Sequence, residues 1–251
     1  LRNRRQRQMC IRDSFDGAPV VNVEGRTYPV EVRWRPRSEQ DASLELESSV
    51  ASAFDEIRRE MPAGDVLTFL SGEREIRELT SYMRGHLQRN RLGDRWEILP
   101  LYGRLSVEDQ AKVFASGNRR RIVLATNVAE TSVTVPGVRA VIDLGMARIS
   151  RFHTKTRVLR LPVEPISQAS ADQRSGRCGR VGPGLCLRLY DEQEFSHRRA
   201  FTEPEIRRTN LASVLLRMRS MRLGSVKDFP FLDTPKLSAV REAELSLREI
   251  G

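Results

Sequence analysis

The chain has 251 residues, 43 Lys and Arg against 33 Asp and Glu, and a formal net charge of +10. That length holds one full domain and part of another, with enough apolar content for a core. No apolar run approaches eighteen residues, which excludes a helical membrane span, and the arginine-rich start lacks the apolar segment of a secretory signal.

The first fourteen residues, "LRNRRQRQMCIRDS", carry five arginines and no apolar periodicity. They read as a disordered basic arm, or as sequence foreign to the domain that follows. "PVVNVEG" and "YPVEVRW" are β-branched, alternating segments around Gly25 and predict two strands. Residues 39–61 have helical periodicity and stop before Pro62-Ala63-Gly64.

Strand and helix then alternate. "DVLTFL" predicts a strand, "GEREIRELTSYMRGHL" a helix, "WEILPLY" a strand, and "SVEDQAKVFAS" a helix with Ser106 as N-cap and Asp109 at N3. "RRIVLAT" and "VRAVIDLG" predict further strands. "ARISRFHTKTRVLRLPV" alternates at period two around a polar turn, as a β-hairpin does. "SQASADQRSGRCGR" predicts a helix from Ser167 that runs out at the glycines, and "GLCLRLY" a last strand. This order is that of an α/β, doubly wound parallel sheet, which binds ligands at the C-terminal ends of its strands. Beyond Tyr190 the texture turns helical and arginine-rich, and the final amphipathic stretch is expected to be cut inside a second, mainly helical domain.

The net charge suggests a polyanionic partner such as nucleic acid. A competing reading is codon bias, because Lys occurs only at positions 112, 155, 227 and 236 and every other base is Arg. Cys10, Cys178 and Cys186 show no C-x-x-C spacing, and His86, His153 and His197 form no ligand pair at helical spacing. Neither a disulfide framework nor a metal site is expected, and a reducing, cytoplasmic setting is the default. There is no G-x-x-x-x-G-K-[ST], no strand ending in an Asp-Glu pair suited to Mg²⁺, no G-x-S-x-G and no H-E-x-x-H. Taken alone, the chain holds no complete catalytic site.

Three features can carry chemistry. In "QRSGRCGR", residues 173–180, arginines recur at every third position between glycines. A guanidinium stays charged and presents a planar fork that suits phosphate oxygens, so the element suits arginine fingers on a transferring γ-phosphate. The plain alternative is a surface helix with solvated charge. "ATNVAETS" places Thr126, Asn127 and free backbone N–H groups at a strand end, suited to phosphates or ribose hydroxyls, or to capping a short helix. "FLSGEREI" puts Ser71 and Gly72 at a turn before a helix whose N-terminus can take an anion.

Together, "FLSGEREI", "LYGRLSVEDQAKVF", "ATNVAETSVTVPGVRAVIDLG" and "PISQASADQRSGRCGRVGPGLCLRLY" resemble the second RecA-like domain of a DEAH-box RNA helicase, in its bacterial HrpA-type branch. The resemblance starts near Phe15 and divides the chain into a non-family arm (1–14), a RecA-like domain with a β-hairpin insertion (15–195), and a truncated winged-helix segment (196–251). It implies that Gln173, Arg177 and Arg180 reach the γ-phosphate of ATP as catalytic, nucleotide-binding residues. It further implies that Ser71, Gly72, Arg74, Thr126 and Asn127 touch the RNA backbone, and that Glu130, Thr131 and Ser132 link RNA to nucleotide. Phe114 is the candidate for stacking on adenine, with a core position as its alternative. The hairpin around residues 153–156 matches the family's strand-separating wedge. Mg²⁺ ligands are expected on a first RecA-like domain of the same intact polypeptide, and none on this chain. Ser175 and Cys178 replace alanines common in the family, and Cys178 is expected to serve packing. The alternative function is a non-catalytic RNA-binding or regulatory module derived from a helicase.

Overall fold

The computed structural model describes residues 17, 19, 21, 28–36, 46–115, 117–153 and 156–250. The basic arm, the first expected strand around residues 19–25 and the start of the first expected helix lie mostly outside them. In chain order come β1 (Val30–Trp34), α1 (Leu46–Glu60), β2 (Asp65–Phe69), α2 (Glu73–Arg89), β3 (Trp96–Leu101), α3 (Val107–Phe114) and β4 (Arg120–Ala125). There follow α4 (Val128–Thr131), β5 (Val138–Asp143), β6 (Met146–Arg148), β7 (Arg151–His153), β8 (Val158–Arg160), β9 (Val163–Pro165), α5 (Gln168–Ser175), β10 (Gly184–Arg188) and α6 (Glu192–Ser196). A 3₁₀ turn (Glu205–Arg207), α7 (Ala212–Ser220) and α8 (Leu237–Ile250) complete the described chain.

Six strands form one sheet in the order β1-β10-β5-β2-β4-β3, and every pairing in it is parallel. Because successive side chains point to opposite faces, each strand feeds two cores. Val66, Ile122, Leu124, Ala140 and Ile142 pack with Val50, Phe54 and Ile57 of α1 and Ile76, Leu79 and Met83 of α2. Leu67, Phe69, Val123, Ala125 and Val141 pack on the other face with Val113 of α3, Ala129 of α4 and Cys178. Burial on both faces explains why β2, β4 and β5 read as continuous apolar runs. At the N-terminal edge the buried Arg121 guanidinium donates to Asp65 at 2.7 Å and to the carbonyls of Val113 and Pro136, each at 2.7 Å. That edge is closed by its own ion pair. Ser71, Gly72, Thr126 and Asn127 follow the C-terminal ends of β2 and β4 at the opposite edge. Phe114, by contrast, lies between Val113 and Ala115, whose carbonyls accept from Arg121, and Thr134, the partner of Arg180, precedes the start of β5.

The helix ends follow their sequence signals. Ser106 Oγ accepts from the Asp109 N–H at 3.1 Å and donates to its carboxylate at 3.0 Å. Ser167 Oγ accepts from Ser170 N–H at 3.2 Å, opening α5 at the expected residue.

The chain divides into two compact units, one made of residues 26–148 and 163–202 and the other including 149–162 and 203–250. The expected hairpin is present as two successive antiparallel ladders in one register, β6 with β9 and β7 with β8, with the Ile149 N–H donating to Pro162 O at 3.1 Å between them. The first belongs to the sheet unit, the second to the C-terminal unit. In the C-terminal unit the Phe152 N–H donates to Arg208 O at 2.8 Å, Arg208 Nη1 to Ser150 O at 3.0 Å, and Arg151 pairs with Glu203 at 2.7 Å. Arg157 pairs with Glu249. Leu211, Leu215, Val240 and Ala243 form this unit's small core between α7 and α8. The expected helical texture after Tyr190 is made of short pieces: α6, the 3₁₀ turn and α7, then the amphipathic α8.

Candidate functional site

The loops after β2, β4 and β5, together with α5, carry the residues of interest. α5 is short, and its buried residues are Ser170, Ala171, Arg174 and Ser175. Arg174 is wholly buried, where the surface-helix alternative would have placed it in solvent. Its Nη1 donates to Asp143 Oδ1 at 2.8 Å and its Nε to Glu130 Oε2 at 3.0 Å. Nη1 and Nη2 each reach Met146 O at 3.3 Å, and the guanidinium lies 4.7 Å from the Phe69 ring centroid. Burial works against its charge, but the Asp143 and Glu130 carboxylates outweigh it and raise its pKa. Asp143 also accepts from Gly145 N–H at 2.9 Å and from Tyr190 O–H at 3.1 Å. Gly145 has φ +73°, and a Cβ there would lie 2.5 Å from the Tyr190 ring, so the turn after β5 requires glycine.

The next two arginines differ. Arg177 is half-buried, and its Nη1 donates to Val133 O at 3.1 Å. Arg180 is exposed, and its Nη1 donates to Thr134 Oγ1 at 2.5 Å. Among the described residues neither is ion-paired with a carboxylate. Burial lowers the pKa of Arg177, and the neighbouring Arg180 charge lowers it further against the pull of Glu130. Two cations therefore stand beside each other with neutral oxygens as acceptors, an arrangement that a polyanion would relieve. Gln173 is exposed on α5. Gly179 serves the chain itself: a Cβ there would lie 2.8 Å from Tyr28 O, whose residue leads into β1.

Thr126 is half-buried at the end of β4, and Asn127, Thr131 and Ser132 are exposed around α4. Asn127 occupies the cap position of α4, and its side chain makes no capping bond. Glu130 faces α5, accepting from both Arg174 and the Ser170 hydroxyl. Ser71 is buried, its N–H donating to Glu75 Oε2 at 2.9 Å and its hydroxyl also bonded to that carboxylate. The anion-accepting end of α2 is thus supplied with its own carboxylate. A Cβ at Gly72 would lie 2.7 Å from Arg148 Nε, and Arg74 is exposed and paired with Glu78 at 2.8 Å.

Phe114 is 40 % exposed at the end of α3, while Val113 takes the core position beside it. Cys178 and Cys186 are free and buried, and burial pushes the Cys178 thiol up to about 12. Among the described residues no cluster of His, Cys, Asp and Glu could hold a metal ion, and no helix is long and apolar enough to cross a membrane. The arginines at residues 177 and 180 suit phosphate oxygens; the described residues offer nothing comparable for Mg²⁺. Sequence reasoning missed Arg174 as a buried anchor. The available signal was Asp143, a carboxylate inside an apolar strand that must find a cation.

A wholly parallel sheet with helices on both faces, hydroxyl and amide groups after its C-terminal strand ends and an arginine-bearing helix packed beside it defines a RecA-like domain. Residues 49–182 match the family described as the helicase conserved C-terminal domain. The ATP-dependent RNA helicase HrpA of Escherichia coli (strain K12) is 52% identical over 240 residues, covering 94% of this chain and 18% of that protein. The HrpA homolog of Haemophilus influenzae is 52% identical over 237 residues, again covering 94% of this chain and 18% of that protein. The crystal structure of the Escherichia coli DEAH/RHA helicase HrpB superposes with a TM-score of 0.83 at 35% identity, covering 97% of this chain and 30% of that one. The chain belongs to the helicase C-terminal domain family, in its DEAH-box, HrpA-type branch. It spans about a fifth of the length of the curated relatives it matches.

Proposed function

We propose that the chain is the second motor domain of an ATP-dependent RNA helicase, with residues 196–251 starting a winged-helix segment. It acts with a first RecA-like domain of the same intact polypeptide, in the cytoplasm. The observation that carries this reading is the pair Arg177 and Arg180, bonded to Val133 O and Thr134 Oγ1 and lacking carboxylate partners among the described residues. A module that only bound RNA would have no use for γ-phosphate-sensing arginines in the arrangement that the family resemblance implies at residues 173–180, which is why the non-catalytic module is the weaker reading.

In this scheme Arg177 and Arg180 hold the γ-phosphate of ATP and stabilise charge in the transition state, with Gln173 beside them. Phe114 stacks on the adenine. Mg²⁺ would be held by the companion domain, where it would neutralise charge on the phosphates. Arg74, Thr126 and Asn127 touch RNA phosphates and sugars, which carry no sequence information, so binding is sequence-tolerant and salt-sensitive; Ser71 and Gly72, both buried, form the turn that presents Arg74.

The test uses the intact polypeptide and this chain in parallel. Arg177→Ala in the former abolishes ATP hydrolysis and largely spares RNA binding, and this chain alone shows no RNA-stimulated hydrolysis. Normal turnover by Arg177→Ala would remove the finger assignment, and turnover by this chain would remove the split-site account.

A further inference from the structure

A corner of residues 90–95 joins α2 to β3 at the N-terminal edge of the sheet, and none of the residues assigned above to ATP or RNA lies in it. It closes the helix with a pair of cap bonds, from the Arg91 N–H to Gln88 O at 3.1 Å and from the Leu92 N–H to Leu87 O at 2.8 Å. Leu92 then packs against the core between the sheet and α1 and α2. This cap takes a left-handed residue between the helix and Leu92, and that residue is Arg91, with φ +54°. Glycine is the ordinary occupant, because an L-side chain crowds the backbone there. Gly93, two residues on, has no positive φ. Codon bias accounts for Arg in place of Lys, but not for Arg in place of Gly.

Arg84, Arg89, Arg91 and Arg95 are all exposed, and among the described residues none is ion-paired with a carboxylate. Asp94 is the one acid between residues 84 and 95. Arg89 folds back over Gly85, the neighbour of Arg84: a Cβ at Gly85 would lie 3.2 Å from Arg89 Nη1. The bases at the start of β4 are engaged. Arg119 pairs with Glu97 at 3.5 Å, and Arg120 donates to Gly64 O at 2.7 Å and lies 4.0 Å from the Trp96 ring centroid. The helix dipole favours a cation at Arg89, in the last turn of α2, but its field has faded at Arg95 across the corner. An external polyanion supplies the counter-charge that this edge lacks.

No large apolar residue is exposed from 84 to 95. A protein interface is anchored by such residues, whereas a phosphate backbone needs only charged forks, which arginine presents. We propose that this corner is a second RNA-backbone surface, with Arg89, Arg91 and Arg95 as phosphate contacts and Arg84 beside them. It is separate from the contact at Arg74: α2 rises about 1.5 Å per residue, which puts its two ends about 24 Å apart. Phosphate contacts carry no sequence information, so the corner adds affinity and holds a further stretch of RNA without selecting it. The inference rests on the reading that the intact polypeptide binds RNA.

The test is fluorescence anisotropy of the intact polypeptide with an oligouridine of about 40 nucleotides, long enough to cover several binding sites, across a salt series. Arg89→Gln, Arg91→Gly and Arg95→Gln combined lower the slope of log affinity against log salt by about 2, at about 0.7 per phosphate contact on a single strand. At about 0.1 M salt the affinity falls at least tenfold, and the RNA-free kcat for ATP is unchanged. Arg91→Gly alone raises the thermal midpoint and lowers the slope by about 0.7, two effects that a merely structural residue would not combine. Arg222, with φ +54°, holds the matching cap position after α7 in the other unit. Arg222→Gly therefore removes the same charge from the same backbone setting, and leaves the slope as it was. An unchanged slope in the combined variant overturns the proposal. So does an equal fall in Arg222→Gly and Arg91→Gly, which would mean that net charge alone counts. A parent with no affinity for the oligouridine would instead remove the RNA reading beneath it.

Discussion

Arg174 Nη1 lies 2.8 Å from Asp143 Oδ1, and neither side chain exposes any surface. A pair so placed is defined more by the cost of breaking it than by its net worth, because removing one charge strands the other in a low-dielectric interior. Asp143→Asn should therefore destabilise the sheet unit by about 3 kcal/mol. Both tryptophans, Trp34 and Trp96, lie in that unit, so the denaturant midpoint followed by tryptophan fluorescence reads the effect without the C-terminal unit. A shift equivalent to less than about 1 kcal/mol would mean that solvent reaches the pair.

Phe114 separates a core role from a ligand role. It is 40 % exposed, and Val113 fills the adjacent core position. Phe114→Ala should leave the unfolding midpoint of the sheet unit within about 0.5 kcal/mol of the parent. In the intact polypeptide it should raise the KM for ATP about 2- to 10-fold, the range expected for loss of one aromatic stacking contact. A large stability loss with unchanged KM would reverse the assignment.

The pH dependence of stability should have an identifiable acid component at Glu56. Bonds from Arg35 Nε at 3.0 Å and Nη2 at 2.9 Å hold its carboxyl below the ordinary 4.5, opposed by burial and helped by Arg33. A folded-state value below the unfolded one means that the stabilisation is complete above about pH 4.5 and is lost as pH falls through the depressed value. Glu56→Gln should be less stable than the parent at pH 7 by about 1 kcal/mol or less, and the gap should narrow below pH 4.5 and close as pH falls through the depressed value. A gap of constant size from pH 7 to pH 3 would sink this account. The thiol of Cys178 has the opposite sign: burial pushes it up to about 12, so its contribution is complete below about pH 9 and declines above that. In the folded protein it should resist iodoacetamide at pH 8, read by peptide mass spectrometry, and labelling at the rate of a free thiol would contradict its burial.

How far the sequence could be read depended on the range of the interactions. β2, β4 and β5 were legible because each is an apolar run bounded by turn signals. The starts of α3 and α5 were legible because their caps lie within three residues. The roles within "QRSGRCGR" were not: spacing in threes cannot tell that Arg174 turns inward to Glu130 and Asp143, 44 and 31 positions away, while Arg180 stays exposed. The hairpin itself was legible from its alternation, but not what its outer half packs against. Its alternation is continuous from Ala147 to Val163, but the partners of its outer half, Glu203, Arg208 and Glu249, lie some fifty to ninety residues on.

That division of the hairpin makes a prediction about opening. The Phe152 N–H donates to Arg208 O at 2.8 Å, inside the unit whose core is Leu211, Leu215, Val240 and Ala243. The amide of Ile142, in the middle of the sheet, belongs to the other unit. Amides exchange with the cooperative unit that protects them. Leu215→Ala removes one of four buried side chains from the small core and should cost about 2–5 kcal/mol there. Hydrogen exchange at Phe152 should then accelerate by at least about 30-fold, the equivalent of 2 kcal/mol, and that at Ile142 should remain within about twofold. Equal acceleration at both would show that the two units open together, and no change at Phe152 would show that the outer hairpin is protected by the sheet and not by the C-terminal helices.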